Sequence, residues 1–228
     1  MATYDLEEQE QLAEIKAWWK QYGNLVINVV TAAAIVVIAW QGWNWYQRSQ
    51  STQAAGLYNV LQRAAQEKDL QKVKAASGEL LEKFGGTSYA TLGSMMAAKA
   101  LIDADDAKTA KLQLQWAVEH GKDELRDLAR LRLASLLIDE KTYDEALKVV
   151  DGSSGPAFEP RFSDLRGDVL RAQGKKAEAA TAYQSALDKL DTLAKAGKEK
   201  DAQGWQEQSG AIYRELVQQK LDSLGGSK

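Results

Sequence analysis

The chain has no cysteine among its 228 residues, a single histidine (His120) and only two prolines. Without thiols there is no disulfide, no Cys-ligated zinc, no iron–sulfur cluster and no thiol nucleophile, and one imidazole removes every metal site that needs two. The missing cysteines do not fix a compartment, because an oxidising space permits disulfides without requiring them. A surplus of positive charge is missing too. Twenty-nine Lys and Arg face 32 Asp and Glu, for a net charge of −3, and the pI of about 5.4 argues against nucleic acid, whose binders carry a basic face. Beyond residue 50 there is no alternating β-branched run, and both prolines, at 156 and 160, fall in one loop.

From Leu25 to Tyr46 there is no charged residue, and the run LVINVVTAAAIVVIAW is apolar apart from Asn28 and Thr31. Twenty-two helical residues at ~1.5 Å each reach ~33 Å, enough for a hydrocarbon core of ~30 Å. Trp18, Trp19 and Tyr22 precede it, and Trp40, Trp43, Trp45 and Tyr46 close it, so amphipathic rings stand where two membrane–water interfaces would fall. This pattern predicts a membrane-spanning helix rather than a buried core helix. A secretory signal would begin with positive charge and end at a small-residue cleavage site. Here the start reads ATYDLEEQEQLAE and the far flank is bulky, which predicts an uncleaved anchor. Lys16 and Lys20 lie close before the span and Arg48 alone lies close after it. That bias places the N-terminus in the cytoplasm and the rest outside, in the periplasm of a Gram-negative bacterium.

The organisation expected from these features is a cytoplasmic stub over 1–24, an anchor over 25–46, an exported domain over 47–224 and a flexible tail over 225–228. The stub holds two Lys and five acidic residues (Asp5, Glu7, Glu8, Glu10 and Glu14), which accounts for the whole net charge of −3 and leaves the remainder formally neutral. Leu6, Leu12, Ile15, Trp18 and Trp19 give it an apolar side with which to lie along a membrane surface.

After residue 50, Ala, Leu, Lys, Glu and Gln dominate. The pattern predicts helices over 51–67, 70–84, 88–104, 107–120, 123–140, 143–151, 158–173, 176–195 and 203–223. Gly85-Gly86, Gly121, DGSSGPAFEP at 151–160, Gly174 and AKAGKEKDAQG at 194–204 supply the breaks. Short-looped helix pairs raise the question of internal repetition. In LRGDVLRAQGKKAEAATAYQSAL, Gly167 is followed twelve residues later by Ala179 and seven after that by Ala186, with the bulky Tyr183 three residues before it. The spacing resembles the tetratricopeptide repeat, which needs small side chains where its first helix crosses its second and where the second meets the next repeat. The same ruler picks out Ala134, Ala146 and Ser153, and again Ala98, Ala110 and Ala117, for repeats starting near 91, 127 and 160. Residues 51–84 fit poorly, with Leu61, Val73 and Leu80 in the small slots, as an N-terminal cap would, and 203–223 reads as a solvating terminal helix. The expected fold is all-α: one transmembrane helix followed by a tetratricopeptide-like solenoid.

Catalytic signals are weak. Asp105/Asp106, Asp139/Glu140 and Asp144/Glu145 have the composition of acid/base dyads, but they fall at turns where Asp caps the next helix and Glu favours its dipole. His120 stands at a helix C-terminus beside Gly121, which predicts a capping role. Six residues rather than four separate the GKK at Gly174 from Gly167 and no Ser or Thr follows the Lys, so it is not a phosphate loop, and Gly152 to Gly155 lacks dinucleotide-binding spacing. No enzymatic activity, cofactor or metal is expected.

The block LEEQEQLAEIKAWWKQYGN, followed by one anchor and an exported all-helical repeat domain, resembles the YfgM family, the ancillary subunits of the SecYEG translocon, along essentially the whole chain. The resemblance implies a non-enzymatic inner-membrane protein that works beside SecYEG with a membrane-anchored, prolyl-isomerase-like chaperone, PpiD. It also implies a part in handing newly translocated client polypeptides to periplasmic chaperones, and a link to envelope-stress signalling. A membrane-anchored adaptor for cell-wall or division machinery is the alternative.

In such repeats, positions 2, 5, 9, 12 and 13 of the first helix line an inner groove. Here they are Leu92, Met95, Lys99, Ile102 and Asp103; then Leu128, Leu131, Ser135, Ile138 and Asp139; then Arg161, Asp164, Asp168, Arg171 and Ala172. This mixed apolar and charged set is the candidate partner site. The Lys at position 5 and Asn at position 9 with which some tetratricopeptide proteins hold a terminal carboxylate are replaced by Met95/Lys99, Leu131/Ser135 and Asp164/Asp168, so recognition of that type is not expected.

Overall fold

A chain rich in Ala and Leu and poor in Pro forms helices wherever an apolar stripe can be buried. The computed structural model describes residues 3–152, 154–198 and 205–225, with nine helices and no strand among them. These are α1 (Thr3–Gln66), α2 (Leu70–Phe84), α3 (Ser88–Ile102), α4 (Ala107–His120), α5 (Asp123–Asp139), α6 (Tyr143–Val150), α7 (Glu159–Ala172), α8 (Lys176–Lys198) and α9 (Trp205–Gly225). The boundaries agree with the sequence periodicity except at the start. The stub, the anchor and the helix expected from residue 51 are all parts of α1, because QRSQSTQAAG at 47–56 holds neither Pro nor paired Gly to stop it. Ser153, residues 226–228 of the expected tail, and the side chains of Asp5, Leu6, Glu7, Glu8 and Glu10 lie outside the described residues.

The chain divides into two compact units, Met1–Thr52 and Gln53–Lys228. In the second, each helix from α2 to α9 packs on its neighbours in sequence, and the first helices of successive pairs also touch, α3 with α5 and α5 with α7. Ala98, Ala110, Ala117, Ala134, Ala146, Ala179 and Ala186 are all buried, each in an apolar cluster with side chains from neighbouring helices. At Gly167 a Cβ would stand 2.5 Å from Tyr183 Cδ1, so only glycine lets α7 approach the fully buried Tyr183 ring of α8.

The first pair obeys the same ruler with the sizes exchanged. Leu61, Val73 and Leu80 are fully buried in the slots that later repeats fill with Ala. The room comes from α3, where a Cβ on Gly93 would lie 2.7 Å from Leu80 Cδ1 and 3.2 Å from Leu61 Cδ2. What reads as a poor match is therefore a crossing with its large and small partners swapped.

The turn inside each pair also repeats. Lys68, Asp105, Lys141 and Gly174 have φ values of 56°, 60°, 60° and 79°, and they fall 37, 36 and 33 residues apart. After each, a backbone N–H bonds back across the turn: Asp69 to Ala64, Asp106 to Leu101, Thr142 to Leu137 and Lys175 to Leu170. This is the left-handed closure that ends a helix and satisfies its orphan carbonyls. Asp69 and Asp106 then cap the next helix, accepting from Lys72 N–H and Thr109 N–H at 3.1 Å each.

The break between α6 and α7 is tied down from α5. Asp127 Oδ2 accepts from Gly155 N–H at 2.8 Å, and Arg130 Nη1 donates to Asp127 Oδ1 at 3.1 Å. Arg130 Nε and Nη2 both donate to the Val149 carbonyl, and the guanidinium lies 4.4 Å from the Phe162 ring centroid.

Candidate functional site

Two features carry functional information, one in each unit. In the first, the segment expected to span a membrane leaves its apolar side chains without protein cover. Ile38 is 69% exposed and Trp40 66%, and Val29, Val30, Ile35, Val36 and Val37 are likewise exposed. A core helix of a soluble domain would bury these groups, so the stripe is built to face a solvent other than water. Among the described residues, α1 is the one helix long and apolar enough to cross a membrane. Trp18, Trp19 and Tyr22 form one exposed ring cluster, with centroids 6.3 Å apart for the two Trp and 5.8 Å for Trp18 and Tyr22. Trp43 and Tyr46 form a second at 6.2 Å, with Trp40 and Trp45 exposed nearby in sequence.

In the second unit, the candidate groove residues separate by repeat. Met95 is 1% exposed and belongs to the core with Leu101, Leu114 and Leu133, which removes it from any partner surface. Leu131 is also buried, packed with Ala134, Val150 and Phe162. These two slots of the expected groove therefore hold core side chains. Lys99 and Asp103 are exposed and paired with each other at 2.9 Å, Ser135 donates to the Leu131 carbonyl at 3.0 Å, and Asp139 is exposed.

In the last repeat the structure brings Arg161, Asp164 and Asp168 together, and fills them from α9. Tyr213 Oη donates to Asp164 Oδ2 at 2.8 Å. Lys220 Nζ donates to Asp164 Oδ1 at 2.8 Å and to Asp168 Oδ2 at 2.7 Å, and Tyr183 Oη donates to Asp168 Oδ1 at 2.8 Å. The Arg161 guanidinium lies 5.6 Å from the Tyr213 ring centroid, while Arg171 is exposed. Burial, with the neighbouring Asp168 and Asp164, pushes the Tyr183 and Tyr213 phenols well above their usual range, so both act as donors. Lys220 and Tyr213 carry no motif. Their signal is the spacing of Tyr213, Val217, Lys220, Leu221 and Leu224 on one helical face.

The acidic pairs have structural work. The Lys74 ammonium, with Thr109, holds the Asp106 carboxyl down at about 2, the wrong direction for an acid or base working near neutrality. Glu140 and Glu145 both face Lys111, at 3.6 and 2.9 Å. Asp144 lines an open surface hollow with Lys141, Thr142 and Tyr143 and accepts from Gln173 Nε2 at 3.2 Å. His120 stacks on Trp116 at 4.4 Å with Nδ1 3.0 Å from the Trp116 carbonyl, as a C-terminal capping residue does.

A family model described as a tetratricopeptide repeat-like domain matches residues 16–226, taking in the apolar segment as well as the helix pairs. The class of the protein is thereby fixed as tetratricopeptide-like. The chain is 31% identical over 224 residues to the ancillary SecYEG translocon subunit of Neisseria gonorrhoeae, covering 96% of this chain and 98% of that protein. It is 28% identical over 185 residues to the protein of the same name from Haemophilus influenzae, covering 81% and 90%. Among solved structures, MamA of Desulfovibrio magneticus superposes with a TM-score of 0.46 at 17% identity, covering 76% of this chain and 97% of that one. The chain belongs to the family of ancillary SecYEG translocon subunits, the YfgM family.

Proposed function

We propose that the chain is a non-enzymatic ancillary subunit of the SecYEG translocon. Residues 25–46 hold it in the bacterial inner membrane by a single span, with 1–24 in the cytoplasm and the repeat domain in the periplasm. There the repeats bind a membrane-anchored, PpiD-like chaperone and help pass newly translocated polypeptides onward. The observation that carries this reading is the 31% identity over 96% of the chain to a protein of that name, which takes in anchor and repeats together. The physical logic is tethering: one end fixed in the bilayer keeps a protein-binding surface at high local concentration beside the exit of the channel. The side chains available for such contacts are the exposed Lys99, Asp103, Ser135, Asp139, Arg161 and Arg171.

Affinity purification of the full chain from mildly solubilised inner membranes should recover SecYEG subunits. Their absence, with the chain intact and membrane-inserted, would overturn the assignment. Lys99→Glu combined with Arg171→Glu alters two exposed slots and leaves the buried Met95 and Leu131 untouched. It should preserve helicity and translocon recovery while reducing recovery of the chaperone. Wild-type chaperone yield would move the docking face to the anchor or to the outer helices.

A further inference from the structure

We infer that α9 is a resident ligand of the last repeat, holding a docking site for a partner helix of matching chemistry, which must displace it to bind. Asp164 and Asp168 stand four residues apart on one face of α7, and all four of their oxygens accept a hydrogen bond. Three of those donors come from α9, through Lys220 twice and Tyr213 once. Asp164 is 6% exposed with α9 in place, so it is a carboxylate that the fold keeps only because a cation and a phenol are supplied from another element. Remove α9 and the seat carries two negative charges with only the Tyr183 donor left among these four bonds.

The apolar half of the seat is equally specific. Val217 is fully buried, and Tyr213, Leu221 and Leu224 pack at the edge of a cluster made by Leu170, Ala179, Ala182, Tyr183, Ala186 and Leu187. The seat therefore reads a helix with an aromatic residue at i, an aliphatic one at i+4, lysine at i+7 and leucine at i+8 and i+11, all on one face.

Two observations mark the occupant as exchangeable rather than as one more repeat helix. Val217 is the one fully buried apolar side chain described on α9, whereas α8 alone buries Ala179, Tyr183 and Ala186 completely. On its outer side α9 leaves Ile212 63% and Leu216 47% exposed, so among the described residues no further helix covers that side. Much of its attachment is the charge-assisted clasp. An incoming helix with the same residues remakes that clasp bond for bond, so exchange costs little beyond the ordering of the new segment.

The test uses the full chain in detergent micelles and, as probe, a fluorescent peptide reproducing residues 205–225. Lys220→Glu in the chain weakens the resident helix and raises the fraction of open seats, so the probe should bind this variant about tenfold or more tighter than the wild type. Adding Asp164→Asn and Asp168→Asn to that variant should abolish the gain, and a probe carrying Lys220→Glu should fail on every chain. Hydrogen exchange gives a second reading: in Lys220→Glu the amides of α9 should exchange faster while those of α3 to α6 keep wild-type protection. Equal binding to wild type and variant, or none to either, would overturn the proposal. So would protection of α9 in wild type as strong as that of α5. If Lys220→Glu does not fold, Tyr213→Phe, which removes one of the three donors at constant shape, takes its place with the same expected direction.

Discussion

At Gly167 the repeat ruler becomes a steric fact. Glycine inside an exposed helix ordinarily weakens it, and replacement by Ala recovers up to ~1 kcal/mol. Gly78, exposed within α2 with open space for 4 Å around the point where a Cβ would stand, should behave that way, and Gly78→Ala should raise the melting temperature. Gly167→Ala should do the opposite, losing ~1–3 kcal/mol, because the buried Tyr183 ring has nowhere to move. Thermal melts of the two variants, read for sign, check this; a rise for both would mean that the crossing has slack. The left-handed turns give a second residue-scale expectation. Lys141 adopts φ 60°, which costs a side-chain-bearing residue ~1–2 kcal/mol. Lys141→Gly should therefore stabilise the chain in denaturant titrations, whereas Gly174→Ala, at φ 79°, should destabilise it.

At the scale of elements, the sequence exposes what rests on size and hides what rests on pairing. Ala98, Ala110, Ala134, Ala146, Ala179 and Ala186 are legible because a helix crossing excludes large side chains, and the exclusion recurs at fixed spacing. Leu61 and Leu80 break the pattern because the small partner, Gly93, sits on the opposite helix. The breaks near Lys68, Asp105 and Lys141 are legible from the periodicity, but their left-handed closure is silent because no glycine advertises it. The clasp on Asp164 and Asp168 is silent because its donors lie about fifty residues away on α9. The tie of the α6–α7 break is hidden in the same way, and it is strong enough to test. Arg130→Met would leave Asp127 buried without its cation, a loss of ~3–5 kcal/mol for a broken buried pair, and protease should then cut near residues 152–156 in preference to the other loops. Uniform resistance would show that the loop needs no clamp.

The seat of α9 adds a pH dependence. The phenols of Tyr183 and Tyr213 titrate higher in the folded chain than in the unfolded one, chiefly because they are buried and then because Asp168 and Asp164 are near. Their contribution is present in full below the ordinary tyrosine value of about 10 and is lost as pH rises past it, since the unfolded chain then ionises first. Melting temperature should fall between about pH 10 and pH 12, and Tyr213→Phe should flatten that fall. A parallel fall in both proteins would place the alkaline sensitivity elsewhere.

For the molecule as a whole, the decisive asymmetry lies around residues 25–46. The Gln53–Lys228 unit buries its apolar clusters with its own helices, while Ile27 to Ile38 remain largely uncovered. Apolar surface on this scale in water favours aggregation, and a bilayer relieves it at about 25 cal/mol per Å². The ring clusters at Trp18–Tyr22 and Trp43–Tyr46 then fit the two interfaces. Orientation rests on less, two lysines against one arginine, and the five acidic residues of the stub weigh little in that balance. The expected result follows directly. Protease added to spheroplasts should digest residues beyond the anchor and leave a small protected fragment that begins at the N-terminus. Replacing Lys16 and Lys20 by Gln while placing two Lys after Arg48 reverses the bias and should turn much of the population to the opposite orientation in the same assay. A repeat domain protected until the membrane is broken would reverse the orientation and, with it, the compartment in which every contact argued above is made.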